Sequence, residues 1–122
     1  MRFHRHALVL VSALCGSGCR DKAPTPAEPS PEEVQELAQL MCEVGLECTG
    51  PGTAECDAVH RSFDDLLFGD RNENCADIWL VFEFHDCRAN LGCEDREMAT
   101  GSFPGTPCYE EAIAAYDAGC ML

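Results

Sequence analysis

Beyond residue 30 the apolar positions recur at helical spacing. Val34, Leu37, Leu40, Met41 and Val44 lie three or four residues apart, preceded by Ser30-Pro31-Glu32-Glu33. Ser at the N-cap, Pro at the first helical position and Glu three residues after the cap make a capping box, whose two side chains satisfy orphan backbone N–H groups. The spacing therefore predicts a helix over 31–44. Thr49-Gly50-Pro51-Gly52 interrupts it. A second helix is predicted from Thr53 or Ala54, burying Val59, Phe63, Leu66 and Leu67 and ending at Gly69. The stretch from Ile78 to Phe84 is apolar on both faces and rich in strand formers. No breaker occurs between Cys75 and Ala89, too long a span for a strand, so a third helix is expected there, the most buried of all, with Trp79 in the core. Residues 97–105 read as a loop with Phe103 exposed at its tip. Thr106-Pro107 repeats the cap-plus-Pro start, and Tyr109, Ala112, Ile113 and Tyr116 form a stripe on a fourth helix ending at Gly119.

Ten cysteines in 122 residues change this picture from a small helical domain to a cross-linked one. Cys15 and Cys19 fall in an N-terminal leader. Cys42, Cys48, Cys56, Cys75, Cys87, Cys93, Cys108 and Cys120 remain, an even number that reads as four disulfides in an oxidising compartment. Structural zinc favours pairs two to four residues apart, and the nearest pairs here have five intervening residues. Three offsets equal 45 residues (Cys42 to Cys87, Cys48 to Cys93, Cys75 to Cys120), and Cys56 to Cys108 is 52. We read this as a duplication, with repeats of about 31–75 and 76–122, each a helical hairpin. Antiparallel helices gather Cys42, Cys48, Cys56, Cys87, Cys93 and Cys108 at one end and leave Cys75 and Cys120 at the other. A Cys42–Cys75 bond would have to bridge roughly 18 Å of helix, against the roughly 7 Å that a disulfide allows between Cα atoms. Cys75–Cys120 is therefore expected, the other six pairing among themselves in an unassigned order. The expected fold is all-α, a disulfide-bonded four-helix body made of two duplicated hairpins.

Charge excludes one class of partner. Lys and Arg total 8 against 22 Asp and Glu, a net charge of −14. Such a balance repels phosphate, so nucleic-acid binding is not expected. No apolar run reaches the roughly 18 residues that span a bilayer.

Met1 to His6 is basic, Ala7 to Leu14 is apolar, and Cys15-Gly16-Ser17-Gly18-Cys19 follows, the layout of a secretory signal over residues 1–18. Gly16-Ser17-Gly18-Cys19 resembles a bacterial lipoprotein processing site, where small residues precede a cysteine that becomes lipidated; Gly16 stands where the family usually has Leu. The resemblance implies lipidation at Cys19, and Arg20 directly after it suits transfer to an outer membrane. The alternative is plain secretion, with cleavage after Ala13 or Ser17. Cleavage before Cys19 removes Arg2 and Arg5, leaving 6 basic and 22 acidic groups and a charge of −16. Residues 19–30 hold three prolines and no large apolar side chain, a composition that stays extended as a tether. By layout the chain resembles short cysteine-rich lipoproteins of Gram-negative bacteria, which implies no activity.

Chemistry is sparse in the body. His85 in Glu83-Phe84-His85-Asp86 suggests a ligand group, but its position about 100° from Asp86 on a helix prevents convergence. It reads as a partly exposed His beside acids, and His60 as solvated. Ser62 and Ser102 lack a nucleophile-elbow setting. Asp70-Arg71-Asn72-Glu73-Asn74 opens like a calcium loop, yet Cys75 replaces the turn Gly and Val81 the bidentate Glu; Asn72 or Asn74 serves a turn instead. The residues assign no catalytic group, cofactor or metal ligand. A lipid-anchored, non-enzymatic acidic envelope protein is expected, acting through protein contacts and fitted to a basic envelope partner. The alternative is a secreted, soluble cysteine-rich effector or inhibitor-like domain.

Overall fold

The computed structural model describes residues 27–50 and 55–122. Among them it holds five α-helices and no strand: α1 (Pro31–Thr49), α2 (Cys56–Phe68), α3 (Ile78–Ala89), α4 (Cys93–Met98) and α5 (Tyr109–Asp117), with a 3₁₀ turn at Asp70–Asn72. The leader, Cys15, Cys19 and tether residues 19–26 lie outside the described residues, as do Thr53 and Ala54.

The capping box forms as expected. Glu33 N donates to Ser30 Oγ at 3.2 Å, and Ser30 N donates to Glu33 Oε1 at 3.1 Å. Helix α1 then runs five residues past its predicted end, to Thr49. Nothing crowds Gly45, so a tolerated Gly does not stop it. Gly50 does, at φ 96°, with its N–H on the Leu46 carbonyl at 2.9 Å. Cys48 is thereby carried on the last turn of the helix. In α3, Asp77 caps the first turn by accepting from Trp79 N at 3.1 Å, so Cys75 precedes this helix rather than starting it.

Helices α1 and α2 pair as one hairpin, α3 and α5 as the other, and α1 also lies against α3. Phe82, Leu37, Val34 and Val81 are fully enclosed at the centre, and Trp79 meets Phe82 edge-on at 5.4 Å between ring centroids. Helix α3 is the most buried: Trp79, Val81, Phe82, Phe84, His85, Asp86 and Ala89 all face protein.

Four disulfides close the body: Cys42–Cys56, Cys48–Cys93, Cys75–Cys120 and Cys87–Cys108, with Cα separations of 5.3, 5.3, 4.4 and 6.0 Å. The preferred Cys75–Cys120 bond is present, and the other six pair among themselves. Under the 45-residue correspondence, Cys42–Cys56 and Cys87–Cys108 are the same bond made twice. Cys48–Cys93 and Cys75–Cys120 each join a cysteine to its counterpart. Bonds between equivalent positions arise where two related units meet about a two-fold, so the hairpins face each other through their matching ends.

The second hairpin departs from the predicted pattern. A fifth helix, α4, occupies 93–98, where a loop was expected to begin at Glu97. Its six residues bury nothing, so apolar periodicity gave no sign of it; Gly92 before it and Glu94 and Asp95 in its first turn are the local signals. Helix α5 is not capped by Thr106. Its N-cap is Cys108, in the left-handed region at φ 61°, held there by its bond to Cys87. The starting point shifts the buried stripe to Ala112 and Ala115, leaving Tyr116 46% exposed. The helix ends at Asp117, two residues short of Gly119.

Candidate functional site

The covalent framework defines two ends. One holds the start of α1, the end of α2, the 3₁₀ turn and Cys75–Cys120. The other holds the end of α1, α4 and Cys48–Cys93.

At the first end, Asn72 is drawn inward by its turn and 94% buried. Its Nδ2 donates to the Leu66 carbonyl at 2.7 Å and the Met121 carbonyl at 3.1 Å, while its Oδ1 accepts from Met121 N at 2.6 Å. Three hydrogen bonds thus fasten the residues after α5 to the end of α2. Ala76 N donating to the Ala118 carbonyl at 2.9 Å adds a fourth tie. Asn72 satisfies backbone groups, which agrees with a turn role and adds a long-range clasp; Cys75, at the place of the calcium-loop Gly, is committed to a disulfide.

The expected exposure of His85 is overturned: only 9% of it is accessible. Its ring stands edge-on to Phe63 at 5.4 Å and Phe84 at 5.1 Å. A neighbour from α2 covers it, which a helix considered in isolation could not reveal. Burial, then the Arg88 charge, pushes its pKa down to about 4; a backbone hydrogen bond at Leu122 opposes this, and Arg96 adds to the depression. The imidazole is neutral at neutral pH, with Nε2 enclosed and unbonded. Arg88 lies beside Arg96, its Nε donating to the Arg96 carbonyl at 3.4 Å, and burial together with the Arg96 charge lowers the Arg88 pKa. These groups form a local cationic spot on an acidic molecule.

Glu83, His85 and Asp86 do not converge. Asp86 is turned to Asn90, whose Nδ2 donates to its carbonyl at 2.7 Å and its Oδ1 at 3.2 Å. Among the described residues no group of three or more His, Cys, Asp and Glu is arranged to hold a metal ion. Ser62 lies in an open depression of about 430 Å³ beside Met41, Phe63, Leu66, Arg71 and Leu122. His60 is half-buried rather than solvated and lines a different depression, with Gln35, Arg61 and Asp64. The hydroxyl and the imidazole therefore do not share a site. Trp79 is in the core at 2% exposure and Phe103 is 66% exposed, as expected for both. A third depression, on the outer face of α1, is lined by Glu32, Glu36 and Glu43 around Leu40. Among the described residues no helix is long and apolar enough to cross a membrane.

No protein-family model matches the chain, and neither a curated protein nor a solved structure is similar to it.

Proposed function

We propose that this chain is a lipid-anchored, non-enzymatic protein of the cell envelope that acts through protein contacts. The observation carrying this reading is the combination of four disulfides with the small-residue segment ending at Cys19. The disulfides mark an oxidising, extracellular-type compartment. The leader resemblance supplies the anchor, and Arg20 favours an outer membrane.

A rigid, cross-linked body displaying carboxylates suits recognition of a basic protein, because complementary charge steers encounter and excludes wrong partners. The outer face of α1, with Glu32, Glu36 and Glu43 about Leu40, is the surface we assign to such a partner. Association there should weaken as salt rises, since exposed charges are screened within about 8 Å at physiological ionic strength.

The test is the intact mass of the mature protein. A chain beginning at Cys19 with added acyl mass supports the reading. The same chain without acyl mass, recovered from the medium, establishes the secreted effector or inhibitor-like alternative, which the same disulfides also favour.

A further inference from the structure

We infer that the Cys75–Cys120 end of the bundle lies against the bilayer surface, with Phe68, Tyr116 and Met121 seated among the lipid headgroups. This rests on lipidation at Cys19. The chain fixes the geometry. Pro29 is buried and Ser30 is locked in the capping box, so the N-terminal segment joins the body at the start of α1. Ala27 and Glu28 line a depression there with Phe68, Asn72 and Ile78. Eight residues separate Cys19 from Ala27, and a fully extended chain spans at most roughly 3.5 Å per residue, on the order of 28 Å here. An acyl chain on Cys19 therefore holds this end near the membrane and turns the Cys48–Cys93 end away.

A second observation comes from the surface itself. Five large apolar side chains are substantially exposed, and three belong to this end: Phe68 at 43%, Tyr116 at 46% and Met121 at 54%. Phe68 closes α2, Asn72 pins the Met121 backbone beside it, and Tyr116 occupies the last turn of α5 next to the Ala76–Ala118 tie. Aromatic residues favour the membrane–water boundary, where ring and hydroxyl meet apolar and wet surroundings together. Asp70, Glu73 and Asp117 flank them, with Arg71 as a single nearby cation, so attraction to anionic lipid is not the driving force. Apolar insertion into zwitterionic lipid is, and tethering makes even weak insertion effective by holding the surface at high local concentration.

The experiment uses the full lipidated protein in phosphatidylcholine vesicles, with and without brominated acyl chains. Trp79 is enclosed and gives a constant background, and Phe68→Trp, Met121→Trp and Met98→Trp report on the two ends. We expect the added emission of Phe68→Trp and Met121→Trp to be largely quenched, that of Met98→Trp to be unaffected, and quenching to decline as phosphatidylglycerol replaces phosphatidylcholine. Protein that floats with vesicles while no reporter, or only Met98→Trp, is quenched overturns the orientation and leaves the anchor intact. Protein that fails to float refutes the anchor itself. Dimerisation of the unlipidated chain that is abolished by Phe68→Ser with Met121→Ser would assign these side chains to a second copy instead, and would also overturn the inference.

Discussion

The two hairpins reach a folded state by different routes. The first buries one stripe of each helix: α1 hides Val34, Leu37, Ala38 and Cys42 out of 19 residues and leaves the rest half-covered or exposed. The second is built around α3, which hides seven of 12. The partner helix in the first hairpin, α2, is a full 13 residues, whereas α5 in the second has nine and packs through two alanines. The contrast teaches that a duplicated cysteine framework does not impose duplicated packing. The disulfides set which ends meet, and the apolar volume is then concentrated in one central helix that both hairpins cover.

The largest expected effect breaks this asymmetry at its centre. Phe82→Ala removes a fully enclosed ring and should cost about 3–5 kcal/mol. Leu40→Ala, on the half-buried margin of α1, should cost far less. Urea unfolding of both variants checks this, and equal losses would mean that the hairpins share the core evenly.

Bonds between hairpins should matter more than bonds within them. Cys75→Ser with Cys120→Ser opens a 45-residue loop and should lower stability by about 4 kcal/mol, following the dependence of disulfide stabilisation on loop length. Loss of Cys42–Cys56, separated by 14 residues, should cost about 3 kcal/mol. The difference is measurable as a shift in denaturant midpoint at constant slope.

Acid sensitivity tests the junction between hairpins, where Phe63 of α2 covers His85 of α3. A folded pKa of about 4, below the ordinary 6.5, means that the unfolded chain binds the proton first. This contribution to stability is complete above pH 6.5, falls as the pH drops from 6.5 to 4, and amounts to roughly 3 kcal/mol. His85→Leu should flatten that part of the pH profile, as followed by circular dichroism on thermal unfolding. A variant profile as steep as that of the parent would show that His85 is not enclosed.

A smaller loss is expected where the clasp ties the end of α2 to the residues after α5. Asn72→Ala leaves the Met121 groups and the Leu66 carbonyl without their partner and should cost about 2 kcal/mol, within the range for unsatisfied buried groups. Faster amide exchange at Met121 should accompany it, with amides in the middle of α3 unaffected.

Local chemistry was legible in the sequence wherever its causes were local. The capping box at Ser30, the helical spacing from Val34 to Val44, the stop after Thr49 and the even count of cysteines in the body all act over a few residues or by simple arithmetic. The preference for Cys75–Cys120 followed from helix length alone. Residues 93–98 were illegible because a one-turn helix that buries nothing leaves no apolar period. His85 and Asn72, the two most informative groups of the candidate site, were misread or half-read for a shared reason. The partners that define them, Phe63 and Leu122 for one and Leu66 and Met121 for the other, come from distant parts of the chain.

By itself, the sequence determined that the chain is helical and acidic, that it carries eight body cysteines in two matching sets, and that its leader reads as an export signal. Only the tertiary structure decided how six of those cysteines pair, that Cys108 adopts a left-handed turn to open α5, and which polar side chains are enclosed. Helix spacing and capping are set by neighbours within about one turn. Burial and disulfide pairing depend on which distant surfaces meet, and that is specified only when both hairpins close on α3.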